Sequence, residues 1–202
     1  MELGLHFVSK RASIGRGALL FHPLVVLGPT YVGPGARVFS FTFLGFPTRK
    51  GLAGLSGTDR VTLDLLDEVS SGCRIGENSI VRTHCVIYEG VELGEGVELG
   101  HWVVVREGVL IGRGSRVGTG TIIDGHTVIG EGSNIQSGVY IPLMTRIGSR
   151  VFMGPRATIT NDKYPPSRRI VETVVEDDAV IGANSTIVAG VRIGRGAVVA
   201  AG

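Results

Sequence analysis

The sequence predicts an all-β chain wound as a parallel β-helix, and three observations carry that prediction. The first is a strict period of six among the aliphatic residues. Val8, Ile14, Leu20, Val26, Val32, Val38 and Leu44 form one run. Ile75, Val81, Ile87, Leu93, Leu99, Val105, Ile111, Val117, Ile123, Ile129, Ile135, Ile141, Ile147, Met153 and Ile159 form a second. Val175, Ile181, Ile187, Ile193 and Val199 form a third. An amphipathic helix would space them by three and four, an ordinary strand by two. A fixed period of six is an internal repeat of the kind that builds parallel β-helices. The second observation is a glycine after the aliphatic residue, as at Gly76, Gly94, Gly112, Gly130, Gly148, Gly182 and Gly194. Glycine tolerates the backbone angles of a tight corner, and the reading assigns these residues to corners. The third is a small or β-branched residue four places on: Ser79, Val97, Ser115, Thr121, Ser133 and Ala157.

Each hexad therefore reads as one short strand and a corner, with two side chains aimed inward. Three hexads close a triangular coil, so the 27 aliphatic positions give nine coils. At a strand spacing of ~4.8 Å the prism is roughly 43 Å long. The chain reads as one domain over residues 1–202, with insertions at about 46–74 and 160–174.

The first insertion contains Pro47, Thr48, Arg49, Lys50 and a Gly-rich stretch, then Val61-Thr62-Leu63-Asp64-Leu65-Leu66. It reads either as a packed excursion with a short strand or helical turn, or as a flap carrying Arg49 and Lys50 toward phosphates. The second runs Thr160-Asn161-Asp162-Lys163-Tyr164-Pro165-Pro166-Ser167-Arg168-Arg169, and its prolines do not suit a central strand. Ile159 to Val175 is 16 residues, read as two hexads plus a four-residue loop.

Composition narrows the function classes. A net charge of +2 with no run of Lys or Arg argues against a nucleic-acid or membrane patch. No apolar stretch is long enough to span a bilayer, and the N-terminus lacks a signal-peptide pattern, which points to the cytoplasm. Cys73 and Cys85 do not make a disulfide framework, and Cys85 falls at an inward position as a core filler.

Residues 18 apart should lie above one another. Thr83, His101, Thr119 and Ser137 then form one outward column, and His84, Trp102, Gly120, Gly138 and Arg156 the next. Glu89, Glu107, Gly125, Leu143 and Asn161 form a third on a different strand. His101 is the favoured functional histidine, since glycines beside it one and two coils on leave room for a ligand. His84 and His126 rank below it.

Several segments resemble the hexapeptide-repeat acyltransferases, most closely those that N-acetylate amino sugars carried by UDP or dTDP. They are Ile135-Gln136-Ser137-Gly138-Val139-Tyr140, then Met153-Gly154-Pro155-Arg156-Ala157-Thr158-Ile159-Thr160-Asn161-Asp162-Lys163-Tyr164-Pro165, and Ile181-Gly182-Ala183-Asn184-Ser185-Thr186-Ile187-Val188-Ala189-Gly190. Leu99-Gly100-His101-Trp102 is similar to a family stretch in which Asn usually stands where this chain has Trp102, and Ser137-Gly138 likewise departs from the usual Asn. The resemblance implies a left-handed helix, whereas general rules favour right-handed crossovers. It also implies a homotrimer with acetyl-CoA as co-substrate in the groove between two prisms, no metal, and a small-molecule nucleotide-sugar acceptor. On that basis Gly182, Ala183, Ser185, Ala189, Gly190, Ala200 and Ala201, in the C-terminal coils 175–202, would contact the acyl donor. Gln136, Ser137, Asn161, Asp162, Lys163, Tyr164 and Arg168 would contact the sugar nucleotide. The chain stops at Ala200-Ala201-Gly202, inside a hexad, where relatives continue with more coil and a cap.

The chemistry needs a neutral amine, a proton acceptor and a donor for the oxyanion. Histidine suits the second role near neutral pH. His101 is therefore the expected base, with Glu107 as a helper from the next strand, and the Gly120 or Gly138 N–H the expected oxyanion donor. Sugar O-acetylation and a non-catalytic hexapeptide domain remain alternatives. A γ-class carbonic anhydrase is disfavoured, because His84, His101 and His126 are 17 and 25 residues apart and fall in different columns.

Overall fold

The structure is a computed structural model that describes residues 6–55, 57, 60–167 and 170–202. Within them lie 27 short strands, and each holds one of the 27 period-six residues. The strands pair in parallel into three nine-stranded sheets. Sheet I runs from Phe7–Val8 to Thr186–Ile187, sheet II from Ser13–Ile14 to Arg192–Ile193, and sheet III from Leu19–Leu20 to Val198–Val199. Neighbouring strands are 18 residues apart, as in the series Glu98, Arg116 and Asn134, except where an insertion intervenes. This is the left-handed parallel β-helix expected from the sequence.

The core is the stacked inward column of each sheet. All fifteen residues of the second run, from Ile75 to Ile159, are at most 2% exposed. Burying each such side chain contributes roughly 1.5–3 kcal/mol. Ile14, in the first coil, is 42% exposed because no coil among the described residues covers it. The second inward position is equally buried, and its hydroxyls do not stay orphaned. Ser79, Ser115, Thr121, Thr127 and Ser133 each donate to a carbonyl 15 residues on, at 2.8–3.0 Å. A buried hydroxyl without such a partner would cost about 1–3 kcal/mol.

The role of glycine differs from the one read in the sequence. The glycine after each aliphatic residue is not the corner. A Cβ on Gly100 would sit 2.6 Å from the Thr119 nitrogen, and one on Gly118 2.4 Å from the Ser137 nitrogen. These glycines let one coil approach the next. The left-handed corner falls two residues later, at Gly96, Gly114 and Gly120, with φ of 65°, 67° and 71°.

Both insertions leave the corner where sheet I passes to sheet II. The first holds two helices, α1 (Arg49–Ala53) and α2 (Leu63–Val69). Thr48 and Thr62 cap them by accepting the Gly51 and Leu65 N–H groups. The helical turn expected for this segment is thus present as two short helices, and Arg49 and Lys50 stand on the first. The second joins the Thr158–Ile159 strand of sheet I directly to the Val174–Val175 strand of sheet II. The 16-residue step is thus one hexad with ten extra residues, not two hexads with four. The error arose because residue count alone does not say which sheet receives the chain.

Candidate functional site

Corner III/I, where sheet III turns into sheet I, carries no insertion. Its outward column is the predicted one: Thr83, His101, Thr119 and Ser137, continued by Pro155, Ala183 and Ala201. The register of sheet III fixes that order. His101 is exposed, and its Nδ1 lies 2.8 Å from the Thr83 hydroxyl one coil below. With Nδ1 protonated, the imidazole donates to that hydroxyl and Nε2 keeps its lone pair for a ligand. Beside this column, sheet III is bare where Gly100 and Gly118 lack side chains. There a cleft of about 240 Å³ opens among Arg82, Glu98, Gly100, Arg116, Asn134 and Gln136. Arg116 faces Glu98 at 3.7 Å, whereas the exposed Arg82 side chain has no partner among the described residues. Gln136 donates to the Asn134 side-chain oxygen at 2.7 Å, which sets its amide across the cleft wall.

Next to the His101 column, the left-handed corner residues pile up as rings. Trp102 stacks on His84, with centroids 4.1 Å apart and planes at 15°, and His84 stacks on Phe41 at 4.9 Å and 21°. Phe41, His84 and Trp102 all have φ near 60°. That region costs a residue with a Cβ about 1–2 kcal/mol, and ring stacking returns about 0.5–1.5 kcal/mol per pair. His84 Nδ1 is buried without a hydrogen bond. One and two coils further on the same positions are Gly120 and Gly138.

The oxyanion expectation fails at both glycines. The Gly120 N–H donates to the His101 carbonyl at 2.8 Å, and the Gly138 N–H to the Thr119 carbonyl at 2.9 Å. Bonds to the coil below consume them.

Four of the seven residues expected to touch the acyl donor lie at the same corner as His101. Gly182, Ala183, Ala200 and Ala201 are the upper continuation of the Gly100 and His101 columns. The other three do not reach it. Ser185 is 3% exposed, and its hydroxyl donates to the Gly182 and Ala200 carbonyls inside the prism. Ala189 is 2% exposed, and Gly190, though exposed, lies at corner I/II, where a Cβ on it would meet the Val171 side chain at 2.8 Å. Their positions four, two and three places after an inward aliphatic explain this, because neither position four nor corner I/II faces the groove.

Glu107 does not approach His101. It lies six residues on, past a whole strand of sheet I and up to ~20 Å away, and it pairs with Arg106 at 2.9 Å. Its surroundings form a second cleft at corner I/II. That cavity of about 210 Å³ is lined by Arg106, Glu107, Asp124, Gly125, Leu143 and Asn161. Tyr140 donates to the Asp124 carboxylate at 2.7 Å, and burial together with that carboxylate pushes the phenol up to about 12. Sequence reasoning missed Asp124 and Tyr140. Their signal was available, since both flank the Ile123 and Ile141 columns and are 16 apart.

The second insertion projects above this cleft. Asp162 closes its own loop by accepting both the N–H and the hydroxyl of Ser167, and these bonds hold its carboxyl below the usual range. Tyr164 is 75% exposed, with the Lys163 ammonium 5.7 Å from its ring. The expectation for Arg168 lies outside the described residues. The loop base is fastened to the last coils, where Thr160 accepts the Ala189 N–H and Thr173 the Gly190 N–H, each at 2.9 Å. Arg49 and Lys50 are exposed on α1, also at corner I/II. Both cysteines are free and buried. Burial pushes Cys73 up to about 12 and Cys85 to about 11, so neither is a nucleophile near neutral pH.

Comparison with known proteins agrees with this architecture. A family model described as the bacterial transferase hexapeptide matches residues 72–107, and one described as the hexapeptide repeat of succinyl-transferase matches residues 172–202. A 2,3,4,5-tetrahydropyridine-2,6-dicarboxylate N-acetyltransferase of Staphylococcus aureus is 47% identical over 55 residues, which cover 27% of this chain and 22% of that protein. The match thus spans about a fifth of the relative's length. Among solved structures, a UDP-N-acetylglucosamine acyltransferase from Bacteroides fragilis aligns with a TM-score of 0.58 at 19% identity, covering 80% of this chain and 68% of that one. A perosamine N-acetyltransferase from Caulobacter crescentus, solved with CoA and GDP-perosamine, aligns at 0.40 and 16% identity over 71% and 53% of the two chains.

Proposed function

We propose that this chain, which carries the hexapeptide repeat of the bacterial transferases, moves the acetyl group of acetyl-CoA onto the amine of a nucleotide-linked sugar and works as a homotrimer. One observation carries the reading: His101 stands at the same bare corner, on continuous columns, as the small residues at which a thioester arm would enter. Gly182, Ala183, Ala200 and Ala201 leave the upper groove shallow enough for a narrow chain to lie against the backbone. Four coils separate Ala183 from His101, or ~19 Å, a span for an extended arm rather than a compact ligand.

In the reaction the neutral amine attacks the thioester carbonyl. Its proton passes to His101 Nε2 as the C–N bond forms. The tetrahedral centre then expels the thiolate, which takes a proton from the imidazolium. The Thr83 hydroxyl holds the ring by Nδ1 through both transfers. Such positioned proton transfer contributes about 10²–10⁴ in rate.

The separation of the two corners supports the trimer. His101 and the Asn161 loop flank sheet I on opposite sides of one chain. A site that used both would be completed only by a neighbouring chain, which a closed threefold assembly supplies at every interface. A coupled thiol-release assay with a panel of UDP- and dTDP-amino sugars, together with light scattering, tests the proposal. Acetylated product from a trimer is expected. A monomer with no acetyl-CoA turnover on any amine of the panel overturns it.

A further inference from the structure

We propose that corner III/I is a nucleoside-phosphate seat, in which the base stacks on Trp102 above the His84 and Phe41 rings while the phosphates reach the neighbouring Arg82. The inference deepens the reading above and rests on it only for the identity of the ligand's other half. Trp102 is 60% exposed although one face of its indole is already stacked. Its other face looks toward a corner from which side chains are missing. A Cβ on Gly120, one coil on, would meet nothing within 4 Å. Two coils on, a Cβ on Gly138 would meet the Arg156 side chain at 3.4 Å, so Arg156 leans over the slot from above. Trp102 and Arg156 are three coils apart, ~14 Å between backbone levels, which admits one planar ring with its sugar.

Charge selects the kind of ring. Neither Arg82 nor Arg156 has a side-chain partner among the described residues, and both sit within two columns of the indole. Arg82 opens onto the sheet III cleft that begins beside His101. A π-face beside unpaired guanidinium groups is the recognition chemistry of a nucleoside phosphate, with the ring stacked and the phosphate bound in a fork. The ring pile is also rigid before any ligand arrives, since His84 is sandwiched between Phe41 and Trp102. Less is therefore lost in ordering it on binding.

Trp102 is the chain's single tryptophan, so it reports directly on its own occupancy. The test titrates the purified protein with UDP, dTDP, ADP and CoA and reads indole fluorescence, with ribose 5-phosphate and pyrophosphate as controls lacking a base. Saturable quenching by at least one nucleotide and by neither control is expected. Quenching confined to CoA and ADP assigns the seat to the acyl donor, and quenching by UDP or dTDP assigns it to the acceptor. Gly120→Asn keeps the probe and tolerates the left-handed corner while filling the slot. It should weaken the quenching nucleotide about tenfold to a hundredfold, as should Trp102→Ala measured by calorimetry. If nucleotides bind by calorimetry without quenching, or if both variants, still folded by thermal melting, bind as the parent does, the seat is elsewhere and the inference falls. Acyl transfer measured separately on the same samples decides the proposed function. Quenching without any transfer would sink that reading and leave this one standing.

Discussion

Corners III/I and I/II are built from the same hexad, yet one is bare and the other is the attachment point of both insertions. At corner III/I the chain crosses every coil in the minimum number of residues, so side chains there meet only the coils above and below. Where those side chains are absent, at Gly100, Gly118, Gly120 and Gly138, solvent enters and His101 stands at its margin. At corner I/II two insertions leave and return, and polar side chains are spent on fastening them. Glu89 accepts the Thr48 and Ser71 N–H groups at 2.7 and 2.8 Å. Asp67 of α2 accepts the Gly28 N–H at 2.6 Å and faces Arg11. The lesson is that position in the repeat decides what a carboxylate or imidazole can do. At a bare corner it stays open to solvent, and at a decorated one it holds the chain to itself.

The largest break in this comparison would come from the bare corner. His101→Ala should lower turnover by about 10² to 10⁴ with acetyl-CoA affinity nearly unchanged. Glu107→Gln, at the decorated corner, should change turnover far less, because Glu107 already pairs with Arg106. Steady-state kinetics on both variants check the contrast. Near wild-type turnover in the histidine variant would make His101 a surface residue and remove corner III/I from the chemistry.

A stability contrast comes next. Gly100→Ala places a methyl 2.6 Å from the Thr119 nitrogen, where only a coil shift can relieve it. Such overpacking costs about 2–3 kcal/mol, or about 5–10 °C in Tm for a chain of this size. Gly120→Ala meets no atom and bears only the left-handed corner, about 1–2 kcal/mol. Equal melting temperatures by calorimetry would mean that coil spacing is softer than the contacts indicate.

These glycines also show what was legible in the sequence. The period of six specified every strand, because a residue that must be buried once per strand leaves a trace in composition. It located the glycine after each aliphatic residue correctly but gave it the corner, which falls two residues later, since close approach and positive φ call for the same residue. The columns of His101 and Trp102 followed from the 18-residue register. The separation of Glu107 from His101 did not, because two residues six apart look adjacent until the corner between them is drawn. Ser185 and Ala189 came by resemblance, and only burial shows that they point away from the groove.

The second insertion offers a smaller effect. Removing Lys163 to Ser167 leaves the Thr160 and Thr173 fastenings in place, so the coils should still melt as the parent does. If the neighbouring chain reads its substrate through this loop, KM for the sugar nucleotide should rise about tenfold or more, the scale of one or two lost charge-assisted hydrogen bonds, while acetyl-CoA binding persists. Unchanged KM would make the loop structural and turn attention to Arg49 and Lys50, exposed on α1 at the same corner.

The smallest effect is the pH dependence of the Glu89 tether. Burial alone would raise this carboxyl, but the bonds from Ser71 and Thr48 outweigh it and leave it below its ordinary 4.5. A depressed carboxyl stabilises the fold fully above its unfolded value, and that contribution disappears as pH falls through the folded one. Glu89→Gln should therefore lower Tm at pH 7 by about 2–4 °C, corresponding to about 1 kcal/mol for a half-exposed acceptor. The gap should begin to close near pH 4.5 and vanish only once the pH has fallen below the depressed folded value, where the parent's own Glu89 becomes neutral. Hydrogen exchange at the Thr48 and Ser71 amides localises the effect, and those two sites should lose protection in acid before the His101 corner does. Loss of protection at both corners together would mean that the tether is coupled to the whole prism, and that the decorated corner is not an independent attachment.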